Sequence, residues 1–284
     1  MQALGLHVTP NHFYSPVPDT RRIDRKLFDR PSELLGIDLR EPAQLNLLAL
    51  LTDTYKHEYS QFPARREDVA LGSFYIQNNL FSSVDAEMLY AMVRHLKPRR
   101  IVEVGSGYST LLMVQAADAN QKDGKPAEIR CIDPYPRNFV SDLANRGRLN
   151  LVQASVETVP LDVFSALSDG DILFIDSSHV VRTGGDVQRE FLEILPRIGA
   201  GTYVHVHDIF LPHDYPSKWV VDNHWFWNEQ YLLQAFLSFN SEFEVVLALA
   251  WLHYQHRDKL VESIPSYDPE TVLPGSFWMR RHPA

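Results

Sequence analysis

The chain has 284 residues, enough for one large or two small domains with a sizeable core. It is 45% hydrophobic and 22% charged, ordinary for a globular protein, and its formal net charge of −9 argues against a nucleic-acid backbone as partner. A single cysteine, Cys131, excludes an internal disulfide and a cysteine zinc cluster. No apolar run reaches the roughly 18 residues of a membrane span. The first residues lack the basic start and apolar stretch of a signal peptide, so a cytoplasmic location is expected.

Residues 1–35 are rich in proline and read as loop. Leu45, Leu48, Leu51 and Tyr55 recur at helical spacing and predict an amphipathic helix over 41–59. After an irregular stretch, Ser83-Val84-Asp85-Ala86-Glu87 opens a helix through about His95, ended by Pro98. Strands and helices then alternate. The expected order is strand 101–104, helix 109–118, strand 128–133, helix 136–146 and strand 149–153. Helix 159–167, strand 171–175, helix 184–195 and strand 202–207 follow. A helix near 226–239 leads to strand 243–250, and the last strand is 276–281. Residues 255–274 are polar, contain Pro265, Pro269 and Pro274, and show no helical pattern. The last two strands are therefore expected to form a hairpin with a long loop. The fold class is α/β: a Rossmann-like, doubly wound, seven-stranded sheet, mostly parallel, with a C-terminal antiparallel hairpin. Residues 1–84 are expected to form an arm and helical cap, serving as a substrate lid, and residues 85–284 the catalytic domain.

Ligands of open α/β sheets bind beyond the carboxyl ends of the strands. The run from Arg100 to Leu112 reads as strand, glycine turn and helix start. Gly105 and Gly107 allow a sharp turn and close approach of a ligand. Ser106 and Tyr108 lie in that turn, and Ser109 and Thr110 can cap the helix. The dinucleotide fingerprint wants a third glycine where this chain has Thr110. Glu103 at the strand end disfavours a pyrophosphate and suits a cationic ligand such as the sulfonium or ammonium of S-adenosylmethionine. This Glu-x-Gly-x-Gly pattern resembles motif I of the class I S-adenosylmethionine-dependent methyltransferases. Asp133 ends the second strand and can accept both ribose hydroxyls. It lies further on than the roughly 20 residues of the dinucleotide rule, because a polar turn over 119–127 intervenes.

The third strand ends in Gln153-Ala154-Ser155, the fourth in Asp176-Ser177-Ser178-His179, the fifth in His205-Val206-His207-Asp208. Isolated Asp and His at the edge of an apolar sheet are costly to desolvate, so their repetition points to a site. Asp176, His207 and Asp208 are the candidate ligands of a divalent metal. The imidazole of His207 shifts preference from Mg²⁺ toward Mn²⁺, Fe²⁺ or Zn²⁺. His179, with an ordinary pKa of about 6.5, is the candidate general base, and Asp176 stands with it as a catalytic candidate. His205 is expected to face away from His207 and to be structural.

The run from Leu149 to Val180 is similar to the corresponding run of the catechol O-methyltransferase-like, metal-dependent O-methyltransferases. The resemblance implies an adenine contact for Ser155 and a metal-binding role for Asp176. It places His179 where the catechol enzymes carry a catalytic Lys, and His207-Asp208 where they carry an Asp-Asn or Asp-Asp pair. The macrolide sugar O-methyltransferases share the layout with acidic pairs, so His207 departs from both. The activity implied is O-methylation of a small molecule, a sugar or phenolic natural product, with S-adenosylmethionine as cofactor and a divalent metal assisting.

Other residues have candidate roles around this core. Tyr75, Asn78 and Asn79 could form a lid over the cofactor, and His12, Phe13 and Tyr14 an aromatic wall. Trp219, Trp225, Phe226, Trp227 and Tyr231 could line an apolar acceptor site. A nicotinamide oxidoreductase on the same architecture is disfavoured by Glu103, by the missing third glycine and by the lack of a helical Tyr-x-x-x-Lys. A non-catalytic cofactor-binding module would not need Asp176, His179, His207 and Asp208. The expected partner is a small-molecule acceptor, with no nucleic acid and no membrane; a homodimer is left open.

Overall fold

A computed structural model describes Leu4, Gly5 and residues 8–282. Residues 1–3, 6 and 7 of the expected arm lie outside the described residues. Seven strands form one sheet: β1 (Arg100–Val104), β2 (Glu128–Ile132), β3 (Asn150–Val152), β4 (Ile172–Ile175), β5 (Tyr203–Val206), β6 (Phe243–Ala248) and β7 (Phe277–Arg281). The order is β3-β2-β1-β4-β5-β7-β6. Pairs from β3 to β5 are parallel; β7 runs antiparallel to both β5 and β6. The mostly parallel sheet with an antiparallel C-terminal end is as expected. β4 is buried at all four positions, as a central strand covered by helices on both faces must be.

Three helices stack on one another beside this sheet: α1 (Glu41–Tyr59), α2 (Asp85–Leu96) and α3 (Tyr108–Lys122). α2 lies between the other two and is buried from Asp85 through Arg94. Leu48, Leu51, Tyr55 and Tyr59 of α1 join the same continuous core as the strands. A polar knot ties the three helices. Arg94 Nε and a second guanidinium nitrogen donate to the Glu58 carboxylate at 2.9 and 3.0 Å, and Tyr90 Oη donates to Glu58 at 2.6 Å. The same guanidinium reaches Asn120 and Asp123 at the end of α3. The arm lies along the 212–222 segment: Arg25 pairs with Asp222 at 2.6 Å and bonds Ser217 at 3.0 Å.

The remaining helices depart from expectation in two places. The strand expected over 243–250 stops at Ala248, and the chain turns into α8 (Leu249–Gln255) and α9 (Arg257–Ser263) instead of a long loop. Leu249, Leu252 and Leu260 are fully buried, but the helical period comes in two short pieces broken at His256, too brief to stand out against the polar residues around it. The helix expected over 184–195 is α6 (Asp186–Arg189), continued by a π-helical turn at Glu190–Ile194 and a 3-10 turn at Leu195–Arg197. Between them in chain order, α4 spans Asn138–Asn145, α5 is a single turn at Asp162–Ser165, and α7 spans Glu229–Leu237. No helix among the described residues is long and apolar enough to cross a membrane.

The parallel ladder runs one residue past each strand. Gly105 N–H donates to Ile132 O at 3.0 Å, Asp133 N–H to Val152 O at 3.1 Å, Asp176 N–H to Val104 O at 2.9 Å, and His207 N–H to Ile175 O at 3.0 Å. These bonds set Gly105, Asp133, Asp176 and His207 in a row along the carboxyl edge of the sheet.

Candidate functional site

The strand order reverses between β1 and β4, where open α/β sheets bind their ligands. A cleft of about 480 Å³ opens there. Gly105, Ser106, Asp133, Ser155 and Asp176, all expected from sequence, line it together with Tyr135, Glu157 and Arg182. Gly105 has φ +81°, and a Cβ on it would stand 1.9 Å from the Asp176 carbonyl oxygen, so glycine is obligatory. Gly107 has an extended φ of 179°, and a Cβ there would meet nothing within 4 Å. Gly107 does not line the cleft; the space beside it is open. Ser106 Oγ donates to Asp133 Oδ2 at 2.5 Å, and Tyr135 N–H donates to Asp133 Oδ1 at 2.7 Å, which holds the carboxylate at the cleft wall. Ser155 Oγ donates to Glu157.

Glu103 does not line the cleft. Its side chain is fully buried and accepts from Ser109 Oγ at 2.7 Å, Thr110 Oγ1 at 2.7 Å and Cys131 Sγ at 3.0 Å. Burial raises its pKa to about 7 against these three donors. Thr110, in the place of a third glycine, accepts from Gly107 N–H at 3.0 Å. Glu103, Ser109 and Thr110 therefore brace the turn from behind rather than meeting a ligand from above. Tyr108 packs its ring against Phe139 and Tyr75, with the two tyrosine hydroxyls 3.3 Å apart. Asn78 is buried: its amide donates to Tyr75 O and Phe81 O and accepts from Leu80 and Phe81 N–H, so it organises its own loop.

Beside the cleft, three side chains converge. His179 Nε2 lies 3.4 Å from Asp176 Oδ1 and 3.5 Å from Asp208 Oδ2, and the three candidate ligand atoms all lie within 4.8 Å of one another. His179 and Asp208 both have left-handed backbones, φ +60° and +55°. Such strain persists only where the surroundings over-determine it. The His179 carbonyl accepts from Asn228 and Glu229 N–H at 3.0 and 3.2 Å. Asp208 is backed by Gly275, whose carbonyl accepts from Ile209 N–H at 2.9 Å and whose N–H donates to buried Asp85.

Burial alone would raise Asp176, but the neighbouring His207 and His179 hold it down at about 2. Burial would likewise lower His179; Asp176, Glu229 and Asp208 outweigh it and hold the imidazole well above its ordinary value. His179 is thus gripped by carboxylates at both ring nitrogens, with Nδ1 2.9 Å from Glu229 Oε2. In this state the imidazole keeps its proton near neutral pH, and either role, general base or metal ligand, requires that proton to leave.

His207 stands outside the converging set. It is buried, its ring lies 4.8 Å from that of Phe81, and its Nε2 is 3.8 Å from Asp208 Oδ1. His205 does not face away from it: the two rings are 5.6 Å apart and both pack near Phe81. An even spacing along a strand returns to the same face. His205 is structural, stacked on Phe174 at 4.0 Å with Nε2 2.9 Å from Ser276 Oγ. Trp227 covers the other side of His179, 4.4 Å between ring centroids, with Trp219 and Trp225 packed on it. Sequence reasoning missed Glu229 and Asp85. An acid in the first turn of a helix is common for dipole reasons alone, so neither carried a distinguishing signal.

A family described as a methyltransferase domain matches residues 102–209, from within β1 to just past the end of β5. An uncharacterized protein of Archaeoglobus fulgidus is 35% identical over 180 residues, 60% of this chain and 77% of its own length. Among solved structures, CmcI-N160 with SAH is 16% identical with a TM-score of 0.41, over 80% of this chain and 91% of that one. The plantazolicin methyltransferase BamL, in complex with a triazolic desmethylPZN analog and SAH, is 9% identical with a TM-score of 0.43, over 69% and 84%. The domain match falls on the strand-end residues that build the cleft and its Asp-His-Asp neighbour. This chain belongs to the class I S-adenosylmethionine-dependent methyltransferases.

Proposed function

We propose that this methyltransferase transfers the methyl group to a hydroxyl oxygen of a small molecule, a sugar or a phenol, at a site completed by a divalent cation on Asp176, His179 and Asp208. The observation that carries the reading is the convergence of these three side chains beside the Gly105–Asp133 cleft. Two carboxylate oxygens and one imidazole nitrogen suit Mn²⁺, Fe²⁺ or Zn²⁺ better than an all-oxygen Mg²⁺ set would. A cation bound there would lower the pKa of a ligating hydroxyl and fix its direction.

The chain's own residues supply the rest. Asp133 takes the ribose hydroxyls, and the Gly105–Gly107 turn leaves room for the methionine portion. Ser155 stands where the adenine would lie. Methyl transfer forms an oxygen–carbon bond as the sulfonium–carbon bond breaks, releasing S-adenosylhomocysteine as leaving group and the hydroxyl proton to solvent, and it needs alignment more than any further catalyst. In this reading Trp227, which covers His179, faces the acceptor, with Trp219 and Trp225 packed on it.

Incubation with S-adenosylmethionine and a panel of sugars and phenols, read by mass spectrometry with and without a chelator, tests the reading. O-methyl product that disappears on chelation and returns with Mn²⁺ is expected. Methylation at nitrogen or carbon, or a rate indifferent to chelator, overturns it.

A further inference from the structure

Glu229 is a carboxylate with 0% exposed surface. One of its oxygens, Oε2, meets His179 Nδ1 at 2.9 Å; the other, Oε1, has no hydrogen-bond partner among the described residues. A buried carboxylate is expensive unless paired. A second fully buried acid, Glu190, stands near it and raises the expense, because like charges repel. A helix-dipole role does not explain such burial, since acids in a first turn act well from the surface.

The segment Trp227–Glu229 holds His179 in three ways. Trp227 covers the imidazole face at 4.4 Å, the first N–H groups of α7 take the His179 carbonyl, and the Glu229 carboxylate takes Nδ1. The backbone contacts secure the left-handed turn at His179, and the carboxylate secures the ring. With Nδ1 engaged by Glu229, Nε2 is the ring atom directed between Asp176 and Asp208.

We propose that Glu229 is a positioning residue that makes His179 a metal ligand through Nε2: it accepts the Nδ1 proton and thereby fixes the tautomer and the aim of the ring. This rests on the metal reading of the site given above. An imidazole backed by a carboxylate is a stronger ligand, and partners of this kind typically contribute 10–100-fold in metal affinity. Glu229 touches neither acceptor nor cofactor and acts only through His179.

Electron paramagnetic resonance of free Mn²⁺, titrated into wild type, Glu229→Gln, His179→Ala and the double variant, measures this directly. Wild type should bind Mn²⁺, and Glu229→Gln should bind it roughly 10–100-fold more weakly. In the His179→Ala background, Glu229→Gln should have little further effect. An equal loss in both backgrounds would mean that Glu229 acts as a general negative charge, and the proposal falls. Wild-type affinity in Glu229→Gln also sinks it. A wild type that binds no Mn²⁺ or Zn²⁺ instead removes the metal reading, and Glu229's role with it. If Glu229→Gln does not fold, the histidine ¹⁵N spectrum of Zn²⁺-loaded wild type decides. The signal absent from His179→Ala should carry its proton on Nδ1; a proton on Nε2 with the metal on Nδ1 overturns the assignment.

Discussion

The two glycines of the β1 turn should fail in opposite ways when each is replaced by alanine. At position 105 the new Cβ would sit 1.9 Å from the Asp176 carbonyl oxygen, on a backbone with φ +81°. The left-handed conformation costs an L-residue about 1–2 kcal/mol. The contact cannot be relieved cheaply, because the neighbouring Asp176 N–H is bonded to Val104 O and Gly105 N–H to Ile132 O. Separating the ends of β1 and β4 would strain or break one of those bonds, roughly another 1–2 kcal/mol. Gly105→Ala should therefore lose about 3 kcal/mol, a fall in Tm of roughly 5 °C for a chain of this size. Position 107 has an extended φ and open space, so Gly107→Ala should melt within a few degrees of wild type. Its methyl group would occupy the space beside the turn, and S-adenosylhomocysteine affinity should drop about tenfold or more, equivalent to about 1.4 kcal/mol. Scanning calorimetry and titration calorimetry separate the two effects. A Gly105→Ala protein with wild-type Tm, or a Gly107→Ala protein with wild-type affinity, would refute this account of the turn.

Asp133→Ala should weaken S-adenosylhomocysteine binding by roughly 1–3 kcal/mol in titration calorimetry, the loss for a polar partner removed from a bound ligand; unchanged affinity would take the ribose off Asp133. Asp208→Ala should reduce Mn²⁺ affinity at least tenfold while leaving cofactor affinity near wild type, since Asp208 stands apart from the cofactor cleft. The pH dependence of stability carries the signature of Glu103. Its folded pKa of about 7 lies above the ordinary 4.5, so the folded state holds the proton more tightly. Its cost to stability is absent below about pH 4.5, grows as pH rises to about 7, and reaches roughly 3 kcal/mol beyond that. Glu87, also held at about 7, contributes a parallel fall. Urea unfolding of Glu103→Gln between pH 4.5 and 8 should show a shallower decline than wild type, and an unchanged slope would contradict the burial argument.

Local pattern in the chain was enough to determine the alternation of strands and helices from β1 as far as β6, the sheet class, and the residues closing each parallel strand. Those features depend on periodicity and on chemistry at fixed spacing, which act between near neighbours. Gly105, Ser106, Asp133, Ser155 and Asp176 reach one cleft because a parallel sheet brings every strand's carboxyl end to the same edge. Which side chains turn toward one another beyond that edge was decided only in three dimensions. His179 rather than His207 joins Asp176 and Asp208, because a left-handed turn at His179 swings its ring back over the sheet while His207 stays in register with the buried face of β5. Glu103, legible as a carboxylate beside the glycines, points behind the turn to three donors that only packing against β2 and α3 supplies. Glu229 arrives from a helix far along the chain, and no spacing rule links it to His179. Strand ends follow from the chain's own rhythm; the partners of a buried charge follow from which distant segment finds room to pack against it.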